Sequence, residues 1–420
     1  VFGPWSGSVF AGDWRITPRV AVSETYTDNV RLAPSDTAQD DFITEASAGV
    51  SVHGRGRRLR LNADYTLQNV FHHRGSVDDD TFQQWQLQGT GEIIREFGFV
   101  DFRTTMRQEN TSNRGGISND NLSGGTRNDV TTYEIAPHVR WRMGSFADAT
   151  ARLSHDRVHT DRETTGSSKS TSNGAQVSVN SGRRFPRLPW GLNANLERIN
   201  NSNGSSTRFN RFNGRVSYVV NRQWMVDAGA GYERNEFSSS RNDTNGASWR
   251  LGLTWTPTPR TQVSGGYERR FFDDTYFFDV SHRSRRTRWI ARYQEDVTTS
   301  RREQLSRVLV PLQDEFGDPI PDPVTGEPIE VAVNFIVPTD EVVVRRSLDG
   351  TMVATFRRGS ATVNVFGDER EFQLTNDIER QYGALVRLNH SLSSRLSAAG
   401  GVSWRRTESR NAGVGDESRW

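Results

Sequence analysis

An all-β fold, an antiparallel transmembrane up-and-down β-barrel of about 18–20 strands, is what this sequence predicts, on three observations. Apolar residues recur at every second position in segments of about ten residues along the chain. The connections between these segments alternate between short and long. The composition is too polar for the soluble cores that 420 residues would build: 33% hydrophobic, yet 10% aromatic, which disordered chains avoid.

The segment 57–67, RRLRLNADYTL, sets the pattern. Leu59, Leu61, Ala63, Tyr65 and Leu67 alternate with Arg58, Arg60, Asn62, Asp64 and Thr66, so a strand here has one apolar and one charged face. The same period runs through 16–22, 85–91, 133–141, 212–220, 226–232, 249–255 and 263–267, then 348–356, 382–388 and 396–404. Each is near the ~10 residues a tilted strand needs to cross a bilayer. Pro137 weakens its own segment, because it has no N–H for the ladder. Short links are expected near 53–57, 95–98, 142–146, 185–189, 220–224, 257–261 and 357–361. Long links, rich in Ser, Asn, Asp, Gly and Thr, are expected near 31–40, 72–81, 110–129, 156–174, 199–207, 235–246 and 272–282. Outer-membrane barrels place short turns in the periplasm and long loops outside.

The apolar faces carry small residues such as Gly89, Gly91, Ala228, Ala230 and Gly265. These would leave voids in a packed core and cost little against lipid. Trp141, Tyr218, Trp224, Trp255 and Trp404 sit near segment ends, as interfacial girdles do. The apolar side therefore meets hydrocarbon and the charged side encloses water. A soluble β-sandwich is the competing reading.

The chain reads as one domain, 1–420, with an irregular insertion at 300–340 around the Pro-rich acidic stretch DEFGDPIPDPVTGEP. Counting strand directions from a periplasmic start leaves Trp289–Tyr293 and Leu348–Phe356 both descending. The insertion is then either a periplasmic excursion or a segment that rises through the lumen and touches its lining. The same count makes the tail after Trp404 an extracellular stretch without a returning strand.

Cysteine is absent, so neither disulfides nor thiolate metal sites contribute. No apolar run reaches the ~20 residues of a membrane helix, and no signal peptide is visible at Val1. A net charge of +2 gives no argument for nucleic acid. No nucleotide loop, nucleophile elbow or metal-spaced histidine set appears, so the chain is read as a non-enzyme without cofactors. His72 and His73, and the runs Asp78–Asp80 and Asp273–Asp274, are solvated loop groups first; the carboxylates could hold Ca²⁺ weakly.

The candidate site is the charged face. Arg58, Arg60, Arg140, Arg142, Arg215, Arg250, Arg288, Arg292 and Arg387, with the amide row Gln84, Gln86 and Gln88, are predicted to line the lumen. Guanidinium forks suit carboxylate or phosphate, and fixed positive charge in a wet pore favours anions. Carboxylates such as Asp64, Glu134, Asp227, Glu233 and Glu268 fall on the same faces, so cross-strand pairing is the alternative.

The N-terminal stretch ITPRVAVSETYTDNVRLAPS (16–35), with 41–68, 288–303 and 401–416, resembles the outer-membrane β-barrel family associated with PEP-CTERM/exosortase systems and exopolysaccharide gene clusters. The resemblance covers most of the chain and brings no catalytic residues. It implies a Gram-negative outer-membrane pore or secretion-associated barrel for passage or display of an exopolysaccharide. Expected partners are outer-membrane lipid and lipopolysaccharide, the polysaccharide itself, and periplasmic export or extracellular proteins. A plugged structural barrel presenting its loops, or a general porin, is the other expectation.

Overall fold

The computed structural model describes residues 12–31, 36–75, 77–110, 127–162, 168–241, 243–306, 341–393, 396–411 and 414–419. Its strands are β1 (Gly12–Thr27), β2 (Asp41–Gly56), β3 (Leu59–His72), β4 (Asp80–Ile94), β5 (Gly98–Asn110), β6 (Arg127–Met143) and β7 (Ala147–Arg162). They continue with β8 (Ser168–Ser181), β9 (Trp190–Asn201), β10 (Ser206–Val219), β11 (Trp224–Glu236), β12 (Gly246–Thr258), β13 (Thr261–Arg269) and β14 (Asp274–Arg283). After β15 (Thr287–Thr299) comes the helix α1 (Ser300–Ser306), then β16 (Val342–Phe356), β17 (Gly359–Phe372), β18 (Ile378–Ser391), β19 (Ser397–Asn411) and β20 (Val414–Arg419).

All twenty strands belong to one sheet. Neighbours in sequence pair antiparallel, from β1 to β6 and from β10 to β20. This is the up-and-down order of an outer-membrane β-barrel fold. The chain forms two compact units: Val1–Trp141, Thr150–Val177 and Glu197–Ser206 in the first, Arg142–Ala149, Ser178–Leu196 and Thr207–Trp420 in the second.

Burial runs opposite to that of a water-soluble protein. Val20, Trp141 and Leu251 are 82%, 61% and 54% exposed, whereas Thr132, Asn128, Asn364 and Ser360 are buried. The register keeps the two faces separate across strands. Ile16, Val52 and Ala63 share one row, as do Trp224 with Trp255 and Ala384 with Trp404. The opening segment follows suit: Leu59 and Tyr65 lie on the exposed apolar face. Apolar side chains at such exposure are stable only against hydrocarbon, so the protein is an outer-membrane barrel.

Aromatic residues flank the apolar face in each unit. In the first, Trp141 stands at the short-turn end of β6 and Tyr133 towards its loop end; in the second, Trp224 and Trp255, stacked at 5.5 Å, stand at short-turn ends and Tyr232 and Tyr276 towards the loop ends. Trp224 and Tyr232 bracket the apolar face of β11. Eight residues of strand span ~27 Å, or ~20 Å across a bilayer at a ~40° tilt, near the height of such a band. The ring of Phe102 lies over Gly89, whereas Gly91 and Gly400 leave room for a Cβ.

Even-numbered strands end in the short turns 57–58, 95–97, 144–146, 259–260, 284–286 and 357–358. Gly144, with φ +60, supplies the left-handed residue its turn needs. Odd-numbered strands end at the opposite side, where the links after Thr27, Asn110, Glu236 and Thr299 begin. A small apolar core of Val30, Ile43 and Val70, with Val77 and Phe82, caps the loop end of β2–β4.

Three expectations change. The stretch 272–282 is not a long loop but strand β14, and 156–174 is mostly the ends of β7 and β8. With β14 counted, β15 rises towards the loop side and pairs antiparallel with β16, so no hidden ascent is required by the strand count. The tail after Trp404 continues as strand to Asn411 and returns as β20. Residues 307–340 lie outside the described residues.

Candidate functional site

Of the residues predicted to line the lumen, Arg58 lies in the turn before β3 and the others stand at strand positions that alternate with the apolar row. Asn62 opposes Gln88, Asp64 opposes Gln86 and Thr66 opposes Gln84 across β3–β4, with Arg60 opposite Thr90 and Arg58 just before the strand. Gln84 donates to Gln108 at 3.1 Å, so the amide row is partly tied into the strand ladder. Arg140 lies over the Phe99 ring at 4.9 Å, and Arg142 meets Asp148 at 3.3 Å. Arg215 and Arg250 face each other across Gly229 of the strand between them. Arg250 sits 3.6 Å above the Phe277 ring and 3.7 Å from Asp227. Arg292 bonds Asp279 at 2.8 Å.

Arg58, Arg60, Arg215, Arg288 and Arg387 have no ion-pair partner among the described residues. Four of them sit at the short-turn ends of β3, β15 and β18. The turns beyond add Arg285, Arg286, Arg357 and Arg358, and a pocket of about 370 Å³ there is lined by Arg260, Arg283 and Arg285. The guanidiniums of Arg58, Arg60, Arg288 and Arg387 are open to an anionic ligand.

Further from those turns the charges neutralise one another. In the first unit Arg152 binds Asp101 and Glu134, and Arg103 meets Glu134 at 3.6 Å. In the second, Arg211 binds Glu268 at 2.8 Å, and the buried Arg270 grips Glu233 by two bonds and Asp296 at 2.6 Å. Charge-assisted forks of this kind fix geometry as well as charge.

The loop side of the second unit carries contacts that sequence reasoning did not find. Helix α1 turns back onto the polar face: Glu303 lies 3.6 Å from Arg345 of β16 and 3.2 Å from Arg370 of β17. Arg302 of the same helix stacks on Phe209 of β10 at 3.9 Å. The 237–245 loop reaches the 373–377 loop, where Arg241 binds Glu371 at 2.6 Å and Gln373 at 2.9 Å, and Ser240 binds Asn376 at 2.6 Å. These residues fall in short polar stretches without periodicity, so no local signal marks them.

Among the described residues no cluster of three His, Asp or Glu is placed to hold a metal ion. His73 instead bonds Thr44 at 2.7 Å, and Asp79 accepts the His72 amide at 2.8 Å.

No protein-family model and no curated protein matches the sequence. Among solved structures, the siderophore receptor PirA of Pseudomonas aeruginosa aligns with 12% identity over 93% of this chain and 77% of its own, at a TM-score of 0.46. The FrpB iron transporter of Neisseria meningitidis aligns with 9% identity over 97% and 76%, at 0.47. A mutant of the ferric enterobactin receptor of Pseudomonas aeruginosa aligns with 10% identity over 94% and 72%, at 0.45.

Proposed function

We propose that this barrel is a conduit for an anionic polymer, an exopolysaccharide bearing carboxylate or phosphate groups, that enters at the short-turn side and leaves at the loop side. One observation, made in each unit by itself, carries the reading: Arg58 and Arg60 of the first unit and Arg288 and Arg387 of the second, near short-turn ends, have no ion-pair partner among the described residues, whereas arginines nearer the loops are satisfied. A periplasmic mouth of unpaired arginine captures polyanions, and neutral walls beyond it let them move on. The resemblance to barrels of exopolysaccharide clusters agrees with this substrate class.

Planar-bilayer recording tests it. The wild-type protein is expected to pass anions in preference to cations, and acidic oligosaccharide added at the short-turn side to block the current. Exchange of Arg58, Arg60 and Arg387 for Glu is expected to reverse the selectivity. Unselective current unaffected by these exchanges sinks the conduit.

The contacts of α1 and of the 237–245 loop favour a second reading, a closed barrel that displays its loops to an extracellular partner. Absence of current in the wild type and in variants lacking those contacts supports it instead.

A further inference from the structure

We infer that the outward face of β7 and β8 carries a binding site for the phosphate groups of the outer-leaflet glycolipid, with Arg157 and Lys169 as its cationic ligands. Lys169 is the only lysine in the sequence. Side chains of β7 alternate cleanly: Asp156 and Val158 are buried on the polar face, so His155, Arg157 and His159 project from the other side, in line with the lipid-facing Leu153. A cleft of about 690 Å³ gathers them, with Phe102, Tyr133 and Ile135 along one part and His155, Arg157 and Lys169 along another.

The height is right for a headgroup. Going up β7, the apolar row ends at Leu153 and the polar row of His155, Arg157 and His159 begins at the next outward position. Hydrocarbon gives way to phosphate at this step, and Arg and Lys side chains reach such a boundary with their stems in the apolar layer.

The charge there is not neutralised by the protein. Arg157 and Lys169 have no ion-pair partner among the described residues. Among the described residues, the carboxylate in contact with the row is Asp161, 3.0 Å from His159 Nε2. His155 uses Nδ1 on Asn173 at 2.9 Å and keeps Nε2 for another partner. Glu134 also lines the cleft, as does Arg103, and its charge is taken up by Arg103 and Arg152. Outward-facing charges of β15–β18 behave differently. Arg346 meets Glu369 at 2.6 Å and Glu295 at 3.2 Å, and Arg380 meets Glu369 at 2.6 Å. That stretch leaves nothing for a phosphate, whereas the β7–β8 face presents two free forked or ammonium donors above an aromatic floor for an acyl chain.

The lone lysine makes the test direct on the full-length wild-type protein in detergent. Acylation of the Lys169 amine by an N-hydroxysuccinimide ester is followed peptide by peptide in the mass spectrometer. Diphosphoryl lipid A at ten times its apparent Kd is expected to slow labelling about tenfold. Inorganic phosphate and phosphatidylglycerol at equal phosphate concentration are expected to leave it nearly unchanged. The Arg157→Ala/Lys169→Ala variant is expected to retain less lipid A than wild type on purification. Unaltered labelling with lipid A overturns the site. Equal protection by inorganic phosphate reduces it to a simple anion patch, and equal protection by phosphatidylglycerol to a general headgroup contact; either result refutes the glycolipid assignment.

Discussion

Arg270 and Glu233 meet as a two-pronged ion pair, Nε to Oε1 at 2.7 Å and Nη2 to Oε2 at 2.9 Å, with both side chains almost sealed from solvent. Asp296 takes a third guanidinium hydrogen at 2.6 Å, and the Phe272 ring lies 4.9 Å from the group. The pair joins the 270–273 loop to β11 and so fixes the loop end of this part of the sheet.

Removing one partner leaves a buried charge without its counter-ion. Arg270→Met is expected to destabilise the folded barrel by about 3–5 kcal/mol, read from urea unfolding in vesicles. Arg270→Met combined with Glu233→Leu is expected to recover much of that loss, because the most deeply buried orphan is gone. A single variant within about 0.5 kcal/mol of wild type denies the pair any structural weight.

Leu251 tests which face meets lipid. It lies midway along β12 between Trp249 and Trp255, and it is exposed. In a water-soluble sandwich, exchanging an exposed leucine for arginine changes stability by about 0.5 kcal/mol or less. Near a bilayer midplane the same exchange costs about 2–4 kcal/mol. Leu251→Arg is expected to show the larger figure in vesicle unfolding, while Gln88→Arg on the polar face stays near wild type.

The period-two segments were legible because each strand carries its own contrast between a lipid and a water face. That contrast fades where it failed to predict structure. In β14, Phe277 points to the polar side, over Gly266 and under Arg250, so aromatic residues stand on both faces and the alternation vanishes. The upper parts of β7 and β8 rise beyond hydrocarbon, where outward positions such as His155 and Lys169 need not be apolar. The closure at the loop side was illegible for another reason. Arg241 and Glu371 are 130 positions apart in sequence, and nothing local to either announces the other.

Glu341 gives a pH dependence with a definite sign. It stands just before β16, where burial, with the nearby Asp377 adding repulsion, pushes its carboxyl above the ordinary value. The folded state therefore holds this proton more tightly than the unfolded chain. Its contribution to stability is full below the ordinary carboxylate pKa and is lost as pH rises through the raised one. Glu341→Gln is expected to raise the unfolding midpoint at pH 7.5 and to change little at pH 4. An equal shift at both values would place the effect outside the titration of this carboxyl.

The loop contact around Arg241 is expected to act as a barrier to flow rather than as a prop for the fold. Its guanidinium spans Glu371 at 2.6 Å, Gln373 at 2.9 Å and the Phe272 carbonyl at 2.8 Å, yet all three partners lie at strand ends or in loops. Each bond to a charged group is worth about 1.5–3 kcal/mol, so Arg241→Ala loosens 237–241 from 371–373 and leaves Ser240 as its hold on Gln373 and Asn376. The sheet ladders are untouched, and the unfolding midpoint is expected to stay close to wild type. In planar bilayers the variant is expected to open more often or pass a larger current, and Glu303→Gln to add to the effect by freeing α1 from Arg345 and Arg370. Current unchanged in both variants, with the fold intact, would show that neither element bars the passage.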